Sequence, residues 1–201
     1  MTVLAALDHL GVFAFAITGA LVAVQKNMDV FGMVVLALMP AVGGGTLRDI
    51  MLDVPVFWIQ DPTYLFVTLA ATIFTFFAHT IILRMADLLL WLDALGLSVF
   101  CAIGCAKTLS IGEGPIVGVV MGVITAVAGG ILRDVIANES PLVLHKEVYA
   151  TAAFAGSLTY VLVPFALSKA LLMAIVVAFL VRALGIRFGL SLPTSYSNEA
   201  H

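Results

Sequence analysis

The sequence predicts an all-α polytopic membrane protein with seven transmembrane helices, arranged as two inverted three-helix repeats plus a seventh helix. The first observation is composition: 63% of the 201 residues are hydrophobic, 10% are charged, and the mean hydropathy is +1.18. Soluble domains are about half apolar, so this composition excludes them. The second is the length of the apolar runs, because about 20 residues span a bilayer as a helix. The third is a glycine–arginine–aspartate segment that occurs twice.

The apolar runs place the spans in order along a single membrane domain. Polar or proline-containing stretches separate neighbouring runs, and such stretches end helices. Repeat one is predicted at about residues 4–83, repeat two at about 88–163, the seventh helix at about 169–187 and a disordered tail at about 189–201. The individual spans are expected at about residues 4–24, 30–52, 63–83, 88–106, 115–137, 147–163 and 169–187.

The internal repeat emerges when the sequence is shifted, without a gap, so that Gly44 falls on Gly129. This shift, which we call the repeat offset, also aligns Asp8 with Asp93. Apolar segments often match by chance, but aspartate, arginine, glycine and tyrosine rarely all match in one frame. Each repeat holds three spans, an odd number, so the second repeat must enter the bilayer from the opposite side. The result is an inverted repeat, an architecture that places a transport pathway near the midplane between its halves.

The repeat offset superimposes two copies of the motif Gly-Gly-x-Leu-Arg-Asp, which begin at Gly44 and Gly129. Gly43 precedes the first copy, whereas Ala128 precedes the second. Glycines in an apolar helix loosen it and let other backbone approach closely. Arginine and aspartate at this depth are costly in lipid, which indicates a functional site. The candidate site residues are Gly43, Gly44, Gly45, Gly129 and Gly130, with the charges Arg48, Asp49, Arg133 and Asp134.

Two further aspartates are candidate ion-pair partners for the motif arginines. Asp8 begins the first span on the side of Arg48, and Asp93 begins the fourth on the side of Arg133. Adjacent helical residues diverge by about 100°, so Arg48 and Asp49 are expected to serve different places. Two interpretations remain open. The charges either only pin helices together, or they form a charged mouth at each end of a polar path.

Charge in the connecting segments predicts an external N-terminus and a cytoplasmic C-terminus. Cytoplasmic segments of membrane proteins carry an excess of lysine and arginine. The side assigned to the cytoplasm holds Lys26, Arg84 and Lys146, the C-terminal Arg182 and Arg187, and Arg133 at the end of the fifth span, whereas the opposite side holds Lys107, Lys169 and Arg48. No cleavable signal peptide is expected, because the first apolar run is long enough to span.

Other polar residues are weaker candidates for a polar path. Thr68, Thr72, Thr75 and His79 fall on one face of the third span. They would line a wet path there, but membrane threonines usually bond to their own helix backbone. Lys107 ends the fourth span without an acidic neighbour in sequence, so it is expected to extend towards the membrane surface.

Catalysis, metal binding and nucleic-acid binding are not expected. No Gly-Lys-Ser/Thr follows the glycines, and no serine–histidine or cysteine–histidine pair recurs at matched depth. Cys101 and Cys105 are interpreted as small packing residues, because no histidine or further cysteine lies nearby in sequence. The net charge of −3, without a basic cluster, argues against a nucleic-acid partner.

With these motifs, the chain resembles a prokaryotic member of the trimeric intracellular cation (TRIC) channel family. The bacterial branch of that family is also catalogued as glycine transporters. The resemblance covers about residues 4–188. It implies a homotrimer in the lipid of the bacterial inner membrane, with one potassium-permeable pore per protomer and no resident cofactor. It also implies that the second and fifth spans line the pore and kink at Gly43, Gly44, Gly45, Gly129 and Gly130.

A secondary transporter of a small amino acid such as glycine is the alternative. Broken helices in such a carrier offer N-terminal amides to a carboxylate and carbonyls to a coupled cation. A channel needs only a continuous polar path in which carbonyls or side chains replace ion hydration. Only one span per repeat carries the glycine motif, and no unpaired acidic residue is expected at mid-membrane. Both features favour the channel.

Overall fold

A computed structural model describes residues 3–82, 87–144, 148–163 and 167–191 of the chain. Within these ranges the ordered elements are all helical. In chain order they are α1 (Val3–Gln25), α2 (Val30–Met51), the short α3 (Phe57–Gln60), α4 (Thr63–Ile82), α5 (Leu88–Ser110), α6 (Pro115–Ile136), a 3-10 turn (Leu142–Leu144), α7 (Ala150–Leu162) and α8 (Leu167–Phe188). This confirms the all-helical class.

Six of these helices, namely α1, α2, α4, α5, α6 and α8, are long and apolar enough to cross a membrane. The sixth predicted span corresponds to α7, which has 13 residues. At 1.5 Å per residue it is about 20 Å long, shorter than the hydrocarbon core of a bilayer. The predicted start of this span at Glu147 and its stop at Pro164 both lie outside the described residues, as does most of the predicted tail.

The turns between helices recur at the same repeat offset as the sequence motifs. Positive φ angles occur at Asn27 (53°) and its counterpart Gly112 (93°), and again at Asp53 (52°) and its counterpart Asn138 (55°). Asparagine, aspartate and glycine tolerate this left-handed conformation better than other residues. The helical turns α3 and Leu142–Leu144, which the sequence reasoning did not predict, occupy equivalent places in the two connectors.

α1 and α5 form the centre of the molecule. Two-thirds of their membrane windows are buried (67% each), against 28% for α4 and α8. The ring of Phe15 in α1 packs on that of Phe100 in α5 with centroids 5.3 Å apart. Each ring also lies against a glycine of the other helix, Gly96 and Gly11 respectively. The exposed apolar side chains of α4 and α8 form the surface suited to lipid.

α2 and α6 cross closely at the motif glycines. The carbonyl of Thr125 in α6 occupies the place where a side chain at Gly44 would begin. A Cβ at Gly129 would lie 2.6 Å from the carbonyl oxygen of Pro40 in α2. Gly44 thus meets Thr125, and Pro40 meets Gly129, so the two helices pass each other in opposite directions. The crossing therefore requires these two glycines.

Both helices remain α-helical through their glycines, and the kinks that the resemblance implies at these positions stay a prediction. Glycine retains its N–H, and the helical hydrogen bonds can continue through it. The other motif glycines contact side chains: Gly43 faces Leu132, and Gly45 faces the ring of Phe57. Sequence reasoning overlooked Pro40, which lies inside α2 and cannot donate to the carbonyl of Leu36.

Candidate functional site

The first charged cluster consists of Arg48, Asp49 and Lys107. Arg48 Nε donates to Asp49 Oδ1 at 2.8 Å, and Lys107 Nζ lies 2.9 Å from both carboxylate oxygens of Asp49. The backbone N–H of Phe57 donates to Asp49 Oδ2 at 3.0 Å. Asp49 is fully buried and Arg48 nearly so. A buried carboxylate is thus held by two cations and one backbone amide.

This cluster corrects two sequence-based expectations. Arg48 and Asp49 were expected to serve different places, but the long arginine side chain bends back onto the carboxylate of its neighbour. Lys107 was expected to extend towards the membrane surface. Instead α5 continues to Ser110, so Lys107 lies inside that helix and faces Asp49. The ring of Phe57 lies 5.9 Å from both the Arg48 guanidinium and the Lys107 ammonium.

The second charged cluster consists of Asp93, Arg133 and Asp134. Arg133 Nε donates to Asp134 Oδ1 at 2.8 Å, and its Nη1 donates to Asp93 Oδ1 at 2.7 Å. The same Nη1 also lies 2.9 Å from the hydroxyl of Thr18 in α1. The N–H of Leu142 donates to Asp134 Oδ2 at 3.1 Å. Here one buried cation is held between two carboxylates.

In both clusters the arginine bonds to the aspartate that follows it in sequence, but the clusters differ in the role of the second aspartate, Asp8 or Asp93. Asp93 pairs with Arg133, as the sequence predicted. The equivalent pair of Asp8 and Arg48 is absent from the ion pairs of the described residues, so that prediction was wrong. Arg48 is taken up by Asp49, while the hydroxyl of Tyr64 donates to Asp8 Oδ2 at 2.7 Å.

The clusters also differ in charge and surroundings. The first holds two cations and one carboxylate, and the second holds one cation and two carboxylates. A cavity of about 200 Å³ adjoins Arg133 and Asp134. Its wall includes Lys26 and Glu139, which form an ion pair between the α1–α2 and α6–α7 connections. The second cluster therefore adjoins a cavity whose wall carries further charged side chains.

Arg182, which the charge comparison counted on the cytoplasmic side, lies inside α8, the predicted seventh span, and is fully buried. Its guanidinium lies 5.0 Å above the ring of Tyr149, a cation–π contact. Arg84 and Lys146, which supported the same orientation argument, lie outside the described residues. The buried position of Arg182 removes it from the charge comparison, because only residues in the connections count towards orientation.

The threonine face of α4 bonds to its own helix. Thr68, Thr72 and Thr75 are buried, and their hydroxyls donate to the carbonyls of Tyr64, Thr68 and Ala71 at 2.8–2.9 Å. This is the pattern common for membrane threonines. The single donor of each hydroxyl is therefore already used, which weakens the case for these residues as the lining of a path.

The cysteines behave as packing residues. Cys101 and Cys105 are buried and unoxidised in α5, and Cys105 Sγ lies 3.7 Å from the carbonyl oxygen of Ser157. Among the described residues, no group of three or more histidine, cysteine, aspartate or glutamate side chains is placed to hold a metal ion. In the described part of the chain, every buried charged side chain except that of Arg182 belongs to one of the two charged clusters.

Comparison with known proteins places this architecture in a family. The family model described as glycine transporter matches residues 5–80 and again 90–165, two segments related by the repeat offset. The UPF0126 inner membrane protein YadS of Escherichia coli K12 is 43% identical over 202 residues, covering 96% of both chains. An UPF0126 membrane protein of Vibrio cholerae is 42% identical over 94% of this chain and 81% of its own length.

Solved structures agree with the sequence comparisons. The TRIC channel orthologue from Rhodobacter sphaeroides superimposes with a TM-score of 0.90 at 44% identity, covering 94% of this chain and 100% of that one. A second TRIC cation channel structure gives a TM-score of 0.89 at 33% identity over 99% of this chain and 100% of its own. The protein is therefore a membrane protein that belongs to the prokaryotic branch of the TRIC channel family, the branch whose sequence model is described as glycine transporter.

Proposed function

We propose that this protein is a monovalent cation channel, permeable to potassium, with a pore inside each protomer that α2 and α6 line. The observation that carries the proposal is the reciprocal crossing of these helices at Gly44 and Gly129, with one charged cluster formed by the end of each helix. The carbonyl oxygens of Pro40 and Thr125 lie at this crossing and a charged cluster lies beyond it on either side, and backbone carbonyls and charged side chains are the groups with which channels select and pass ions.

Two inverted repeats of three spans, with α8 as the seventh transmembrane helix, make up the proposed architecture. This architecture is supported by contacts between the two repeats that occur in reciprocal pairs. Gly44 meets Thr125 while Pro40 meets Gly129, and Phe15 meets Gly96 while Phe100 meets Gly11. Each pair maps onto its partner by the repeat offset, with the direction reversed. Reciprocal contacts of this kind are expected of two units related by a two-fold axis.

The aspartates have a defined role in this channel. A potassium ion passing near the crossing would meet Arg48 at one end and Arg133 at the other. At about 4 Å and an effective dielectric near 20, an unneutralised like charge costs about 4 kcal/mol, which slows passage about a thousandfold. Asp49 and Asp134 each accept from the neighbouring arginine at 2.8 Å. They therefore lower the electrostatic barrier to cations at both ends.

The proposal also includes an oligomeric state and an orientation in the membrane. We infer a homotrimer in the lipid of the inner membrane, because the similar solved structures are described as trimeric intracellular cation channels. The N-terminus lies outside and the C-terminus in the cytoplasm. Lys26 in the α1–α2 connection and Arg187 in the last turn of α8 lie on the proposed cytoplasmic side. The first charged cluster then faces outwards and the second faces the cytoplasm.

Purified protein in planar bilayers tests the proposal. We expect unitary potassium currents whose reversal potential shifts with the potassium gradient. A carrier would instead show counterflow of labelled glycine in proteoliposomes without unitary currents, and that result would overturn the channel. Glu113→Gln provides a matched control, because Glu113 is exposed in the α5–α6 loop and loses the same charge as a cluster aspartate.

A further inference from the structure

The cavity beside the second charged cluster has a buried charged floor and an exposed polar rim. Its volume is about 200 Å³, and the two charged residues of its floor, Arg133 and Asp134, are buried. The polar residues of its rim are all exposed, namely Gln25, Lys26, Glu139 and Ser140. Since water occupies about 30 Å³ per molecule in the liquid, the cavity has room for a cation with several waters. It therefore leads from the exposed connections towards the buried cluster.

An ion pair lies at the rim of this cavity. The ammonium of Lys26 in the α1–α2 connection binds the carboxylate of Glu139 in the α6–α7 connection. The two side chains are 36% and 54% exposed, so solvent reaches both of them, and an exposed pair of this kind adds little to stability. An ammonium held at this carboxylate takes the position that a cation from solution would take. Lys26 is therefore a tethered competitor for the negative charge of Glu139.

The corresponding positions at the opposite end of the protein carry no charge. By the repeat offset, Ile111 corresponds to Lys26 and Val54 corresponds to Glu139. A residue with a positive φ angle stands next to each of these four positions, so the turns recur and the difference lies in the side chains. The ion pair therefore makes the two ends of the protein electrostatically different.

We propose that this cavity is the cation entrance at the end of the path where the second charged cluster lies, and that Lys26 sets the charge of the entrance through Glu139. The inference rests on the channel function proposed above. Among the residues that line the cavity, Arg133 offsets Asp134 and Lys26 offsets Glu139, so the lining carries no net charge. Removing the charge of Lys26 leaves the rim negative, which raises the local concentration of cations and their rate of arrival.

Single-channel recording of charge variants of the full chain tests the proposal. At about 0.01 M potassium chloride the Debye length is about 30 Å, so a charge at the rim acts across the whole cavity. At the voltage that drives potassium in through the cavity, Lys26→Met should raise the current about twofold or more, and Glu139→Gln should lower it by a similar factor. The double variant should conduct like the unmodified protein, because its rim is neutral again. At about 1 M the differences should disappear, because the Debye length falls to about 3 Å.

A cysteine at the rim shows from which side the cavity is reached. In Glu139→Cys, an impermeant anionic thiol reagent restores the lost negative charge and should raise the current when it is added to one chamber only. A cationic reagent added to the same chamber should lower the current. Cys101 and Cys105 are buried and should not react. Glu113→Gln is the matched control, because it removes an exposed carboxylate from the α5–α6 loop and should leave the current through this entrance unchanged.

The outcomes separate this inference from the proposed function. If the unmodified protein shows no unitary potassium current, the channel is refuted and the entrance with it. If currents are present but Lys26→Met and Glu139→Gln change them in the same direction, the bond matters and the rim charge does not, which refutes the inference alone. Currents that neither variant changes at low salt refute it as well, because cations then enter elsewhere.

Discussion

The pairing of Asp93 with Arg133 provides a quantitative test of the second charged cluster. Arg133 is fully buried, and its bonds to Asp93, Asp134 and Thr18 are all 2.9 Å or shorter. Removing one partner of a buried pair costs about 3–5 kcal/mol, because it leaves a charge uncompensated. Asp134 still compensates Arg133, so we expect Asp93→Asn to cost about 3 kcal/mol, at the lower end of that range. At about 2–4 °C per kcal/mol, the unfolding midpoint should fall by roughly 6–12 °C.

A double-mutant cycle measures the interaction free energy between Asp93 and Arg133. We expect Asp93→Asn and Arg133→Met together to cost about 2 kcal/mol less than the sum of the single changes, a value typical of residues in direct contact. Asp8→Asn with Arg48→Met is the comparison cycle, because these equivalent residues form no direct ion pair in the described part of the chain, and their coupling should be clearly smaller. Thermal melts in one detergent measure both cycles. Additivity at the Asp93–Arg133 pair, or equal coupling at both pairs, would refute the reasoning.

The remaining predictions address the pathway and the orientation. Gly44→Leu should overpack the α2–α6 crossing and abolish most of the potassium flux. Gly114→Leu is the control and should conduct normally, because no atom lies within 4 Å of its added Cβ. Single-channel recording compares the two variants. Asp49→Asn and Asp134→Asn should each reduce the potassium current or shift selectivity towards anions, while Glu113→Gln should do neither. Unchanged currents and reversal potentials in both aspartate variants would place the path elsewhere. A reporter fused to the C-terminus should be cytoplasmic and one fused to the N-terminus periplasmic, and the reverse result would exchange the sides of the two clusters.

Only some of the contacts between charged side chains could be predicted from the sequence. The pair of Asp93 and Arg133 was predictable, because charged residues at the ends of neighbouring spans have few other partners in lipid. The contact of Lys107 was not, since its partner Asp49 lies 58 residues away in another helix. The failure of the Asp8–Arg48 pair arises from the same cause. Lys107 has no counterpart in the first repeat, where Val22 stands at the equivalent position, so the two copies of one motif hold different ion-pair arrangements.

The sequence by itself determined the class of the protein, the order of its spans and the position of both motifs. Apolar runs of membrane length can be read from the sequence, because the hydrophobic effect depends on local composition. The internal repeat can be read from it as well, because the repeat offset is a property of the sequence alone. Only the tertiary structure decided which glycines contact backbone, that Arg48 bends onto Asp49, and that Lys107 reaches the same carboxylate. These depend on distances between helices that are remote in sequence. A single difference at such a contact, such as lysine at 107 where valine stands at 22, changes which ion pairs form without altering any local pattern.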